Sequence, residues 1–417
     1  MELKRVVVTG IGAITPIGNN APAYWEGLVN GVNGAAEITR FDSSKFKTHF
    51  ACEVKNFDPL AYFDRKEVRK YDLYALFGIV AADEALADSG LLNDNTNRDE
   101  VGVIWSSGIG GLNTFFEEVS SFAKGDGIPR FNPFFIPKMI ADITAGHISI
   151  KHGLRGPNFA TVSACASSAN SLVDAFNYIR LGKAVAFIAG GSEASINQAG
   201  VGGFNAMHAL STRNEDPLTG SRPFDKDRDG FVIGEGGGGM VLEDLEHALA
   251  RGAKIYGEVA GAGLSADANH ITSPHPEGLG AILSMKRAIQ DAGMQLSDID
   301  HINTHGTSTP LGDIAESKAI ISLFGDFAPK ISINSTKSMT GHLLGGAGII
   351  EAVATLLAVQ NNIVPPTINH FTDDPEIDNS LDFTFGTARR RQVNAAITNT
   401  FGFGGHNVSI IFKKYVP

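Results

Sequence analysis

The chain has only two cysteines, Cys52 and Cys165, in 417 residues. They lie far apart and form no Cys-x-x-Cys pair, which excludes a disulfide framework and a zinc spacing and makes a reducing compartment the expectation. Basic residues are also scarce: Lys and Arg total 34 against 45 Asp and Glu, a formal charge of −11. That balance argues against nucleic acid or an anionic membrane as a bulk partner, while leaving room for one local basic patch. Long hydrophobic runs are missing too. The best candidate, after Gly348, is interrupted by Glu351, so membrane insertion is not expected. Met1-Glu2-Leu3-Lys4-Arg5 runs straight into Val6-Val7-Val8 without the apolar region and cleavage site of a secretory signal. A cytoplasmic protein is the expectation.

What is present is ordinary for a large globular enzyme: 43% hydrophobic and 19% charged residues, in a chain long enough for two or three domain-sized units. The 48 glycines predict many tight turns and close backbone contacts. Val6 to Val8 reads as a buried strand leaving into a turn at Gly10 and Gly12. Because Ile14 and Thr15 stand where a third glycine belongs, this is not a dinucleotide-binding fingerprint. A helix is predicted over 71–88, and strands over 101–105, 158–162 and 184–189. A second half opens near Lys254, with strands over 255–259, 299–303, 331–334 and 395–400 and helices over 280–293 and 346–359. Alternating strands and helices indicate an α/β layered fold. The two halves read as a weak internal duplication, divided into 1–253 and 254–417. Residues 200–240 lack periodicity and read as a loop-rich segment close to a site.

Chemistry gathers just after the strand ends, where open α/β sheets carry their sites. Cys165, in Ser163-Ala164-Cys165-Ala166-Ser167-Ser168, precedes the helical pattern Leu172, Phe176, Ile179. A thiol at a helix N-terminus meets unpaired N–H groups and the positive end of the helix dipole, which favour a thiolate. Taken alone, the cysteine reads more readily as a small buried hydrophobe, the usual fate of a free cysteine. His305 and His342 lie among small and polar residues after two other strands. His301 and His305 are four apart, but without the glutamate of a zincin motif, so no metal is expected. One cysteine with two histidines fits nucleophilic acyl chemistry: the thiolate takes an acyl group, and the imidazoles donate hydrogen bonds where enolate charge develops.

Six motifs occur in order: Ser163 to Ser168, Asp229-Gly230-Phe231-Val232-Ile233-Gly234-Glu235-Gly236, His305-Gly306-Thr307-Ser308-Thr309, Lys337, Gly341-His342, and Phe401-Gly402-Phe403-Gly404-Gly405. Together they resemble the beta-ketoacyl-[acyl-carrier-protein] synthases, and most nearly the elongating type II members, over essentially the whole chain. The resemblance implies a thiolase-like αβαβα five-layer sandwich built from two similar halves, and a homodimer. It assigns Cys165 as the nucleophile, with His305 and His342 promoting decarboxylation of a malonyl thioester and holding the enolate. Phe403 would supply an oxyanion-hole N–H and, with Phe401, a gate. Lys337 would support the histidines, and Thr307 and Thr309 would touch the pantetheine arm. Asn303 and Glu351 match an interior polar site described as holding a monovalent cation; no catalytic cofactor is implied.

Acyl-carrier proteins are acidic, so docking needs a basic patch, matched by Lys66, Arg69 and Lys70, with Arg130 adding to it; a solvated helix face is an equal reading of these residues. His208 stands where arginine is common in the family. Ser167-Ser168 and His406 also depart from the family pattern near the expected acyl pocket, leaving chain-length preference open. A cluster at Asp225 to Asp229 reads as a surface turn. Polyketide or specialised-lipid ketosynthases share this chemistry and remain an alternative. A non-catalytic chain-length subunit is a third, opposed by the intact cysteine and histidines.

Overall fold

In the computed structural model, described here for residues 3–93 and 96–416, eleven strands hydrogen-bond into one continuous sheet. In chain order they are β1 (Val6–Ile14), β2 (Val101–Ser106), β3 (Asn158–Phe159), β4 (Ala186–Glu193), β5 (Gly236–Asp244), β6 (Gly257–Ala266), β7 (His301–Asn303), β8 (Ser332–Asn334), β9 (Asp382–Phe383), β10 (Ala395–Gly402) and β11 (His406–Lys413). Their order across the sheet is β9-β8-β7-β10-β11-β6-β1-β5-β4-β2-β3. Outward from the middle, each side repeats one pattern. β1 pairs antiparallel with β5, β5 antiparallel with β4, and β4, β2 and β3 run parallel. Likewise β6 pairs antiparallel with β11, β11 antiparallel with β10, and β10, β7 and β8 run parallel. The duplication is therefore one of topology.

Within this sheet, among the described residues, the two sides join through Val6–Val8 of β1 against Gly257–Val259 of β6. Beyond Val8 a register shift carries β1 away with β5. The divergence admits two helices, α3 (Ser167–Arg180) and α6 (Ala347–Asn361), which pack on each other and on strands of both halves. Outer layers are α1 (Leu73–Ser89) on β1, β5 and β4, α2 (Ile143–His152) on β2, α4 (Leu279–Asp291) on β6 and β11, and α5 (Pro310–Phe324) beside α4. The result is the five-layer α/β sandwich of the thiolase-like fold. The span Leu344–Asn361 is apolar and long enough to cross a membrane, yet 89% of it is buried inside the protein. A helix covered by sheets on both sides is apolar all round.

Several expectations need correction. Gly10 and Gly12 lie inside β1 and do not end it. A Cβ on Gly10 would stand 2.2 Å from the Ala85 carbonyl oxygen, and one on Gly12 2.1 Å from that of Ala81. The glycines are there because α1 lies against the strand. Gly261 and Gly263 do the same for β6 under α4, where a Cβ on Gly263 would stand 2.0 Å from the Ser284 carbonyl oxygen. Residues 207–235 are loop-rich and reach the cavity as expected, but the ends of the 200–240 segment are regular: part of the helix Gln198–Ala206 and the start of β5, both concealed by small residues. Asp225 and Arg228 are buried. Arg228 binds Asp374 at 2.6 Å and the Thr309 and Pro310 carbonyls, so the turn expected here does reach the surface, through Lys226, Asp227 and Asp229, but it is anchored by a buried ion cluster beneath. The strand expected over 158–162 covers only Asn158–Phe159.

Gly12→Ala should lower stability by about 1–3 kcal/mol, because a methyl group would be driven into helix backbone. Gly146→Ala, within α2 and with nothing within 4 Å of the added carbon, should change stability by less than about 1 kcal/mol. Denaturant unfolding of both variants checks this.

Candidate active site

The N-terminal turns of α3 and α6 are built alike. A 3-10 turn, Ala164–Ala166, leads into α3, and its first residue has φ +52°. A second, Leu344–Gly346, leads into α6, and its first residue has φ +48°. Non-glycine residues seldom adopt this conformation, and it marks both turns as tightly constrained. Cys165 is the middle residue of the first turn; Gly345 is the middle residue of the second. The helices cross close behind them, where a Cβ on Gly348 would stand 2.8 Å from that of Ala169 and the Ile349 N–H donates to Ser168 Oγ at 3.0 Å.

Cys165 opens onto a cavity of about 840 Å³. His342 Nε2 lies 3.1 Å from Cys165 Sγ, and the His305 ring meets His342 edge to face, 5.3 Å between centroids. Phe401 packs 5.8 Å from His305. The backbone N–H groups of Phe403 and of Cys165 itself both act on the sulfur and favour its charged form. This is two donors converging on one point, the arrangement that holds an oxyanion. Gly402 permits the approach, since a Cβ there would fall 2.8 Å from the Ser163 carbonyl oxygen.

Electrostatics differ from the helix-end expectation. Burial pushes the Cys165 thiol up to about 11, and the Phe403 N–H and Lys337 only partly offset it. Desolvation of a charge inside the protein outweighs the field of the helix end. Burial and the Lys337 ammonium hold both imidazoles well below their ordinary value, so at neutral pH they are uncharged. Lys337 is itself buried and ion-paired with Glu351. The resting site is a neutral thiol against a neutral imidazole.

Thr307 and Thr309 line the cavity and share a hydrogen bond of 2.9 Å. Asn303 Oδ1 and Glu351 Oε2 are buried without a hydrogen-bond partner, and free oxygens of this kind suit a hard monovalent cation. Among the described residues, no cluster of three or more His, Cys, Asp or Glu is placed to hold a metal. Ser167 and Ser168 do not face the cavity. Both are fully buried, Ser167 bonded to the Ala164 carbonyl and Ser168 to α6; they serve the helix crossing, and their small size is set by it. Lys66, Arg69 and Lys70 are exposed around the short helix Arg65–Val68. Arg130 shares its charge with Asp126 at 3.0 Å. His208 lies at the cavity with φ +53°.

Two carboxylates escaped the sequence reading. Glu316 on α5 accepts from the backbone N–H of His305 and Gly306, both at 2.9 Å, and fixes that turn. Glu193, at the end of β4, accepts from turns on both sides of Cys165. The available signal was an acid placed among small or apolar residues at a strand end or within an apolar helix.

Alkylation of Cys165 by iodoacetamide should accelerate with pH with no plateau below pH 9, because the buried thiol loses its proton only near 11. A plateau under pH 8 would indicate a thiolate–imidazolium pair instead.

Family models for the beta-ketoacyl synthase N-terminal and C-terminal domains match residues 3–248 and 256–371. The chain is 50% identical over 415 residues to 3-oxoacyl-[acyl-carrier-protein] synthase 2 of Synechocystis sp., covering 100% of this chain and 99% of that one. A beta-ketoacyl synthase from Burkholderia phymatum superposes with a TM-score of 0.92 at 34% identity, covering 99% of this chain and 100% of that one. A ketosynthase solved in complex with its type II PKS acyl-carrier protein superposes with a TM-score of 0.89 at 31% identity, with the same coverage. With both domain models matched in order and the cysteine, histidines and terminal glycine loop converging on one cavity, the chain belongs to the beta-ketoacyl synthase family of condensing enzymes.

Proposed function

We propose that the protein is an elongating 3-oxoacyl-[acyl-carrier-protein] synthase of fatty-acid synthesis, working in the cytoplasm as a homodimer. The observation that carries the reading is the placement of Cys165 Sγ 3.1 Å from His342 Nε2, beside His305 and under the Phe403 N–H.

In the first half-reaction the Cys165 sulfur attacks the carbonyl of an acyl thioester. His342 Nε2 is the base in reach of its proton, and the carrier thiol departs with a proton. In the second, a malonyl thioester loses carbon dioxide, and the electron pair of the broken C–C bond becomes an enolate. Two neutral imidazoles can donate hydrogen bonds to that oxygen without protonating it outright, which suits a reactive carbanion equivalent. The enolate carbon attacks the acyl-cysteine carbonyl, whose oxygen receives the N–H groups of Cys165 and Phe403. Collapse expels the cysteine sulfur, which regains a proton, and releases a 3-oxoacyl thioester. Thr307 and Thr309 line the cavity where the pantetheine arm would lie. The free oxygens of Asn303 and Glu351 suit a structural cation that takes no part in bond making.

Support for the dimer comes from exposed apolar side chains on and after the helix Leu112–Lys124: Phe115, Phe122, Phe131 and Ile136, each 39–56% exposed. A patch of this kind marks a surface that another chain covers. Carrier-protein docking is assigned to Lys66, Arg69 and Lys70, with Arg130 contributing less because Asp126 already offsets it.

Incubation with acyl-carrier thioesters of graded length should give an acyl adduct at Cys165 by mass spectrometry. His305→Ala should still accept the acyl group yet lose release of carbon dioxide from malonyl-carrier by about a hundredfold or more. Absence of any adduct, or an equal adduct in Cys165→Ala, would sink the reading. Separately, Lys66→Glu with Arg69→Glu should raise KM for carrier-bound substrate by roughly tenfold at low salt and leave kcat unchanged. Equal KM values at low salt would remove these residues from the docking surface.

A further inference from the structure

Glu193 has no place in the half-reactions above, yet it is among the most heavily hydrogen-bonded carboxylates in the protein. It is fully buried. Its oxygens accept from Ser107 Oγ at 2.8 Å, Gly108 N at 2.8 Å, Gly345 N at 3.1 Å and Ile109 N at 3.3 Å. Three of these donors belong to the turn after β2. The fourth belongs to the turn between His342 and α6, in the other half of the chain. The two turns touch through their backbones: a Cβ on Gly345 would stand 2.1 Å from Gly108 N, and one on Gly108 would stand 3.2 Å from the Ala164 carbonyl oxygen. One carboxylate, two glycine turns and the residue before the nucleophile form a single packed cluster. Ile109 and Leu344, one from each turn, line the cavity with Cys165.

The cluster fits the ionised acid. Backbone N–H groups only donate, and Ser107 Oγ, which accepts from the Gly110 N–H at 2.9 Å, would have to turn its own O–H away from Glu193 to take a carboxylic proton on its second lone pair; burial pushes the acid up from its ordinary value, and the four donors offset that only in part. An unmet donor in such a place is costly, which gives the acid a structural demand that an amide cannot meet.

We propose that Glu193 is a positioning residue for the condensation: it clamps the turn after β2 to the turn after His342, and thereby sets the cavity wall of Ile109 and Leu344 beside the acyl group on Cys165. The proposal rests on the reading that Cys165 carries an acyl chain. It makes Glu193 a determinant of which chains are accepted, acting through the two turns and not by contact with substrate. Its charge also acts on the sulfur, adding to the cost of forming a thiolate.

The test uses the full chain with Glu193→Gln and Glu193→Asp, each checked for folding by thermal melting. In Glu193→Gln, an NH2 group faces backbone N–H groups and the turns must separate. The ratio of kcat/KM for a long against a short acyl-carrier thioester should change by roughly tenfold or more. The pH profile of Cys165 alkylation should move to lower pH, since a negative charge near the sulfur is gone. Glu193→Asp keeps the charge and loses reach, so the ratio should change while the alkylation profile stays in place. A ratio within about twofold of wild type in Glu193→Gln overturns the proposal. If that variant does not fold, Ser107→Ala, which removes one of the four bonds, should change the ratio in the same direction as Glu193→Asp. An unchanged ratio there overturns it equally. Failure of wild-type protein to form any acyl adduct overturns the function above and the clamp with it, whereas an adduct in wild type with an unchanged ratio in Glu193→Gln overturns the clamp alone.

Discussion

Helices α3 and α6 touch at Gly348 and Ala169, a contact with no room for a side chain on Gly348. Everything catalytic in the proposed mechanism depends on that crossing. Each helix arrives from a different half and carries at its N-terminus part of the chemistry: Cys165 on one, the turn following His342 on the other. A wider crossing would move the imidazole away from the sulfur, and a hydrogen bond of 3.1 Å tolerates little displacement. The crossing in turn requires sheets on both sides to hold the helices in place, which explains why, among the described residues, the two sides of the sheet pair at three positions and then diverge. It also explains Ser167, Ser168 and Ala169, whose small size is a packing requirement of the helix and not a feature of the substrate cavity.

Burial has a second consequence, for charge. Excluding water from the thiol and both imidazoles drives all three toward their neutral forms, and Lys337 reinforces this for the histidines. A neutral site is suited to a reaction whose charge appears only in passing. In the proposed mechanism the enolate and the tetrahedral oxyanion form where donors are already fixed, so no solvent must reorganise. Lys337 acts at a distance here: its own ion pair is with Glu351, and its field reaches the imidazoles. The acids Glu316 and Glu193 hold the backbone of the turns, leaving the side chains of those turns free for substrate.

Strand order in the chain, the helix over 71–88 and the positions of the reactive residues were legible in the sequence because each rests on local pattern. Cys165, His305, His342 and Phe403 all follow strands, and strand ends meet in one region of an α/β sheet. What could not be read was set by distant contacts. Gly10 and Gly12 looked like a turn because a helix lying 70 residues further along leaves no local trace. The turn around Arg228 looked unanchored because its partners Asp313 and Asp374 lie far off in sequence. The thiolate expectation failed for the same kind of reason: a helix start is visible in the chain, whereas the depth of burial around it is not.

The paired 3-10 turns have a consequence for how such a protein can diverge. The two halves present the same elbow, one with cysteine at its middle position and the other with Gly345. A side chain on that glycine would collide with Gly108, so the second elbow cannot acquire a nucleophile while the first keeps its neighbours. Duplication has thus produced a left and a right hand that are no longer interchangeable. In the proposed mechanism one grips the growing chain; the other, barred from covalent work by its own fit, is left to steady the incoming partner.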